Sequence, residues 1–528
     1  MPGGSGGGRR NGAAAIGGLA TLVAALATLG GCTVGPDYVT PEAPVPVAYK
    51  EAWKPAPLTK GWERARPMAA IDRGAWWSIY RDPVLDGLER QIDISNENLK
   101  AAEAAFREAE ATVAAARAQF FPSVNADAAA SRSRTSANNG RTSFGGGSIQ
   151  NSFSTELSAS WVPDLWGSVR RTVESNIASA QASAATLANA RLSAQGTLAT
   201  AYVELRTADE LSRLLDASVK AFTQALQITK NQYAGGTTDI SAVQQAQAQL
   251  DATRAQLIAV GVTRGQLEHS IAVLMGKPPA AVTIAPVEGT EAMLTVPLIP
   301  FELPSALLQR RPDIAAAERD MAAANALIGV DTAAFYPDVT LSADYGVSAE
   351  MLRRLFTSSS RIWSFGSTLA QTVFDGGAHN AQLAHDEAAY DASVATYRQT
   401  VLTGLQQVED ELVAERVLAE EAVAEDSAVK AARQAEATIN NQYLAGTQAY
   451  TAVIVAENTA LADAQSALNI RQSRLVASVA LIEALGGGWD ASQIPGADKI
   501  ESDQPLNFNP LPPVFPKEGA DVNPPLPK

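Results

Sequence analysis

Two long stretches, from about Ser168 to Ala234 and from about Ala378 to Ala445, repeat their apolar residues every three or four positions with no proline inside. Val394, Tyr397, Val401, Leu405, Val408 and Leu412 step this way in the second, as Leu215, Val219, Phe222 and Leu226 do in the first. Such a seam predicts coiled-coil packing, and runs of this length predict helices on the order of 100 Å long. A helix that long needs partners along its whole length. Residues 237 to 275 can fold back from the Gly235-Gly236 turn over the far half of the first helix, and a helix at 84 to 119 can cover the rest. In the second unit, 448 to 486 and 304 to 334 take the same two parts. Each unit is thus one long helix paired with two shorter ones stacked end to end.

Beyond the short helices the period changes to two. Phe153, Thr155, Leu157, Ala159 and Trp161 alternate with Ser154, Glu156, Ser158 and Ser160. Val339, Leu341, Ala343, Tyr345 and Val347 alternate with Asp338, Thr340, Ser342, Asp344 and Gly346. These read as strands with one apolar and one polar face. Segments 122 to 134 and 361 to 374 pair with them through loops 135 to 150 and 348 to 360, giving two hairpins and four strands. Each is long enough to cross a bilayer when tilted, and Trp161, Trp166, Tyr345 and Trp363 lie near strand ends, where interface aromatics belong. Four strands cannot close a barrel, because closed single-chain barrels begin at about eight. If the strands lie in a membrane, several copies must join.

The chain also repeats itself. Asn231-Gln232-Tyr233-Ala234-Gly235-Gly236-Thr237 returns as Asn441-Gln442-Tyr443-Leu444-Ala445-Gly446-Thr447, a period of about 210 residues. Two units follow, 76 to 290 with hairpin 121 to 165, and 291 to 488 with hairpin 336 to 374. At the two NQY motifs, Gly236 and Gly446 suit the left-handed conformation that ends a helix, and Thr237 and Thr447 suit the N-caps of the returning helices. Asp239, in the first returning turn, complements the helix dipole.

Composition adds a compartment. The run Ala13 to Gly31, preceded by Arg9-Arg10, has the basic, apolar and small-residue regions of a secretory signal, residues 1 to 31. Cys32, the chain's single cysteine, follows Leu29-Gly30-Gly31 directly. This resembles a bacterial lipobox, which implies cleavage before Cys32 and its acylation, palmitate included; several acyl chains on one residue anchor stably where one is marginal. Residues 32 to 75 are proline-rich and read as an extended tether from that anchor, and the tail 489 to 528 has the same character. The net charge of −15 becomes more negative once Arg9 and Arg10 leave, which disfavours nucleic acid as a partner.

The order of motifs carries a family resemblance: Trp77 with Asp82-Pro83 and Asn98-Leu99; Trp161-Val162-Pro163-Asp164-Leu165-Trp166-Gly167; Arg310-Arg311-Pro312-Asp313-Ile314 with Asn325-Ala326-Leu327-Ile328-Gly329; and Phe374-Asp375-Gly376-Gly377. With the lipobox they cover most of residues 32 to 490 and resemble the TolC family of outer-membrane efflux factors, in its lipoprotein (NodT/OprM-like) branch serving resistance-nodulation-division pumps. The resemblance implies a mainly α fold with a β-barrel portion: four transmembrane strands per protomer, a twelve-stranded barrel in a homotrimer, and a long coiled-coil helical tunnel in the periplasm. It implies a periplasmic adaptor (membrane fusion protein) and an inner-membrane pump as partners. It places Gly235, Gly236, Thr237, Ala445, Gly446 and Thr447 at adaptor-contacting helix tips, and Tyr233, Asp239, Tyr443 and Gln448 at the aperture they close.

The sequence departs from the family pattern where the aperture arginine and paired aspartates fall on Gln448, Ala452 and Val455. We expect a gate of polar and apolar packing plus Asp239 that divalent cations do not close; conductance that collapsed on adding calcium and recovered on removing it would contradict this. No metal site or cofactor is expected: His379 and His385 are six apart, off the i,i+4 spacing of paired helical ligands. There is no nucleophile elbow and no phosphate loop, so the chain reads as a non-enzyme and transport energy must come from a partner. The expected function is a passive exit duct for small toxic compounds in a tripartite multidrug efflux system. The alternatives are an outer-membrane duct for type I protein secretion and a pore-less structural coiled-coil lipoprotein.

Overall fold

The computed structural model describes residues 33–51, 75–134, 149–286, 294–297, 299 and 304–503. Cys32, the signal segment, part of the tether and the end of the tail lie outside these residues. Helices α1 (Pro83–Ser95) and α2 (Glu97–Ala118) precede strands β1 (Ser123–Arg134) and β2 (Ile149–Trp161); then come α3 (Ser168–Ala234) and α4 (Ile240–Leu274). The second unit repeats the order with α5 (Pro312–Ala333), β3 (Asp338–Ala349), β4 (Arg361–Ala370), α6 (Ala378–Leu444) and α7 (Tyr450–Ala484), and α8 (Ala497–Asp503) follows.

The two long helices begin at carboxylate caps. Asp164 accepts the amides of Val169 and Arg170 at 3.0 Å, and Asp375 those of Gly377 and His379 at 2.8 Å, satisfying donors a helix start leaves open. The helices form four columns side by side: α3 packs on α2 and α4 along one flank and on α5 and α7 along the other, and α6 packs on α5 and α7. The core lies at mid-length. Trp76, Ile92, Tyr202, Ile271 and Leu475 fill one half of it, and Ile314, Met321, Val401, Val408 and Leu481 the other.

The short helices do meet end to end, at junctions where the expected single helices break. The helix expected over 84 to 119 is split at Asn96, whose side chain caps α2 through the Leu99 amide at 3.0 Å and donates to the Leu274 carbonyl, the end of α4, at 2.7 Å. The one expected over 304 to 334 breaks at Arg311, where Pro312 opens α5 and the guanidinium donates to Ala484 O, the end of α7, at 2.9 Å. Each junction thus satisfies carbonyls that would otherwise be orphaned at a helix end.

The four strands form one antiparallel sheet in the order β1-β2-β3-β4. Ala126, Leu157, Tyr345 and Trp363 make one rung, and Val124, Ala159, Ala343 and Phe365 the next. Paired residues share a side of a sheet, so the alternating residues merge into one apolar face, face A; Asn125, Ser158, Asp344 and Ser364 belong to the opposite face B. Tyr345 sits inside β3 rather than near its end, and Trp166 stacks on Tyr336 at 4.8 Å while donating to Pro337 O, tying sheet to helices.

Two extended segments are docked rather than free. Residues 33 to 51 run along the helices: Arg171 holds Asp37 at 2.7 Å, Asn325 donates to Pro36 O at 3.1 Å, and Glu409 accepts the amides of Lys50 and Glu51. The tail beyond Gly488 turns into α8, where Ile500 is buried with Val113 and Ala180. For these residues the extended tether and the tail are held against the helices: an apolar or charged anchor every few positions fixes the proline-rich backbone.

Candidate functional site

The NQY motifs encode the same turn twice. Gly235, Gly236 and Thr237 donate their amides to Asn231, Tyr233 and Gln232 carbonyls; Ala445, Gly446 and Thr447 donate theirs to Asn441, Tyr443 and Gln442. Gly236 and Gly446 have φ of 72° and 74°, the left-handed region glycine favours, while Gly235 and Ala445 are right-handed. That is why the second position of the turn stays glycine and the first can be alanine.

The threonines do not cap the returning helices. Thr237 and Thr447 turn their hydroxyls back to the Gln232 and Gln442 carbonyls at 3.0 and 2.9 Å, closing the outgoing helix. The N-cap of α4 is Asp239, which accepts the Ser241 amide at 2.7 Å and the Ser241 hydroxyl. These bonds hold the exposed Asp239 carboxyl below the usual carboxylate range. Ala449 caps α7 without a side-chain bond.

Of the other singled-out residues, Tyr443 bridges the hairpins by donating its hydroxyl to Gln232 Oε1, with its ring 5.3 Å from that of Tyr450. Tyr233 is exposed at the first tip, and so is Gln448 at the second. Ala452 and Val455 line an open apolar groove of about 480 Å³ with Ala432, Ile439 and Thr459. Behind the tips, Phe222, Leu226 and Leu250 pack with Tyr450 and Val453, and Gln249 donates to Asn458 at 2.6 Å, so the hairpins form one block.

Sequence reasoning missed Gln232, Tyr450, Glu436 and Glu457. Glu457 stands on α7 between buried Val453 and Ala460, and its Oε2 has no hydrogen-bond partner among the described residues. Burial, reinforced by Glu436, pushes its carboxyl up to about 7. A carboxyl raised in the folded state stabilises fully below its ordinary 4.5 and loses that contribution as pH rises through about 7. Amide exchange of residues 450 to 460 is therefore expected to quicken across that window beyond the intrinsic change, and Glu457→Gln to flatten the dependence. An unchanged profile in the variant would exclude Glu457 as its source.

Among the described residues no three His, Cys, Asp or Glu are placed to hold a metal, and no helix is long and apolar enough to cross a membrane. Face A is the remaining large apolar surface: Trp363, Leu369, Tyr345 and Leu157 are 77%, 71%, 58% and 52% exposed. Bare sheet face and long helical hairpins together define a protein of the outer-membrane channel class. The chain belongs to the outer membrane efflux protein family, whose model matches residues 89–277 and 303–487.

Its relatives sharpen that placement. It is 30% identical over 471 residues to the toluene efflux pump outer membrane protein TtgC of Pseudomonas putida, covering 89% of this chain and 96% of that protein. It is 30% identical over 450 residues to the pyoverdine export outer membrane protein OpmQ of Pseudomonas aeruginosa, covering 83% and 94%. Among solved structures, the outer-membrane channel OprN matches with a TM-score of 0.78 at 30% identity, over 87% of this chain and all of that one.

Proposed function

We propose that the chain is one third of a passive exit duct: a homotrimer whose twelve strands close a barrel in the outer membrane and whose helices continue it as a periplasmic tunnel. The observation that carries this is the open arc. The sheet ends in free edges at β1 and β4, and the helical layer ends at the same sides in α2 with α4 and in α6. Two helices of 67 residues differ accordingly: α3, flanked on both sides, buries 24 of its residues, and α6, flanked on one, buries seven. Exposed strand edges invite pairing with another chain, and joining β4 of one copy to β1 of the next closes both layers at once.

In such a ring face A meets lipid and face B lines the lumen, bringing Asp127, Glu156 and Asp344 inside as an anionic wall tolerant of cationic cargo. The two-repeat division, with residues 76 to 290 and 291 to 488 each supplying one strand hairpin and one helix hairpin, gives each protomer two tips. These receive a periplasmic adaptor fed by a resistance-nodulation-division pump, and acylated Cys32 fixes the duct in the membrane. Tyr443 and Gln232 hold the tips together in the closed state, and Asp239 caps the returning helix of the first tip. The pump partnership and small-molecule cargo rest on the relatives named for toluene efflux and pyoverdine export. Deleting the gene is expected to lower the inhibitory concentration of several small toxic compounds. Unchanged tolerance with loss of a secreted protein would favour the secretion duct instead.

A further inference from the structure

The strands carry three basic residues, Arg132, Arg134 and Arg361, and four acidic ones, Asp127, Glu156, Asp338 and Asp344. The register sorts them completely. Arg132 lies opposite Asn151, Arg134 opposite Ile149 and Arg361 opposite Val347, so all three belong to face A with Leu157, Tyr345 and Trp363. Asp127 faces Glu156, Asp344 faces Ser158 and Asp338 faces Ala370, so all four acids belong to face B. Position along the strands is sorted too. The three arginines occupy the end of the sheet away from the helices, whereas the helix-proximal end, with Val124, Trp161, Val339 and Leu369, has no lysine or arginine.

A solvated hairpin has no reason to place every cation on its apolar side. A lipid-facing sheet has one: a guanidinium just past the apolar band keeps its stem on hydrocarbon and its head among headgroups. The residue type fits phosphate as well, since the planar fork of arginine matches phosphate oxygens in pairs. The adjoining loop adds exposed Arg353 and Arg354 beside Leu352 and Phe356, which are 63% and 82% exposed.

We propose that face A ends in an arginine collar, Arg132, Arg134 and Arg361, that binds the phosphate groups of anionic lipid headgroups in the surrounding distal leaflet. The collar rests on the reading that the sheet spans the membrane. Because β1 and β4 are the free edges, closing copies into a ring brings Arg132 and Arg134 of one chain to the same seam as Arg361 of the next.

The test counts lipids retained by the assembly, by native mass spectrometry, after extraction from vesicles of equal parts phosphatidylglycerol and phosphatidylcholine. The native protein is expected to retain phosphatidylglycerol preferentially. The triple variant Arg132→Gln, Arg134→Gln, Arg361→Gln is expected to lose the preference, by about fivefold for each arginine that faces a headgroup. The loop variant Arg353→Gln, Arg354→Gln should keep most of it. Equal preference in native and triple-variant proteins overturns the proposal, and so does removal of the bound lipid by inorganic phosphate, which would mark a site for soluble anions. Protease protection of residues 123 to 134 and 361 to 370 in vesicles separates the two levels. Protected strands without lipid preference defeat the collar alone, and unprotected strands defeat the membrane-spanning reading beneath it.

Discussion

Replacing Asp209 by alanine is expected to destabilise the helical layer by about 3–5 kcal/mol, the cost of leaving buried charge without its partner. Asp209 is 5% exposed and holds two guanidiniums, accepting from Arg206 at 3.0 Å and from Arg264 at 2.7 Å. Arg206 also donates to Ala285 O and Arg264 to Ile284 O, pinning the segment after α4, and Arg264 pairs as well with Glu268 at 3.5 Å. Arg206 also donates to the Tyr202 hydroxyl, which donates to Asp82, the cap of α1. One carboxylate therefore ties α1, α3 and α4 to the returning chain. Asp209→Asn, able to accept from one guanidinium, should fall between the native protein and the alanine variant. Thermal unfolding of the detergent-solubilised protein checks this; an alanine variant that melts with the native protein would mean that water already compensates the arginines.

The second large effect is expected at the helix junctions. Gly486 has φ of 92°, and a Cβ there would lie 2.0 Å from the Arg310 carbonyl oxygen; at Gly276, φ 63°, it would lie 1.9 Å from that of Ser95. The obstacle is backbone and cannot swing aside. Left-handed strain of about 1–2 kcal/mol then adds to overpacking of about 1–3 kcal/mol. Gly486→Ala is expected to lose the sum, about 3 kcal/mol or more, and to separate α7 from α5. Gly446→Ala is the control, because it shares the positive φ of 74° but has open space around it. If the two substitutions cost the same, close packing at the junction contributes nothing and backbone strain is the whole effect.

These junctions also mark where the sequence stops being readable. The long helices are legible because a three-four seam persists over many turns, and their observed ends fall within one residue of the expected ones. The break at Asn96 is not, because asparagine, though a good N-cap type, also occurs inside helices, and the Leu274 carbonyl that takes its side-chain amide lies 178 residues away. The break at Arg311 was written in the sequence, since the residue before a proline avoids helical geometry, but the surrounding periodicity masks it. At the tips, the repeated motif discloses the turn while leaving its caps ambiguous. Thr237 and Asp239 are both good N-cap types, and only the length of the turn decides between them. The Tyr443–Gln232 bond joins partners 211 residues apart, so no local pattern could reveal it. On the sheet, the apolar alternation of β2 and β3 was plain, whereas alanine-rich β1 acquires its face from its partners. The segregation of arginine from carboxylate emerges only once the three registers are combined.

The central claim is that the open arc closes with further copies of itself around a lumen. A cryo-electron map of the detergent-extracted assembly tests it most directly. The account predicts a threefold ring in which β4 of each chain pairs with β1 of the next and α6 packs against the neighbour's α2 and α4, with water along the axis. A lone chain with both edges bare, or copies packed face to face through face A with no axial lumen, would contradict it.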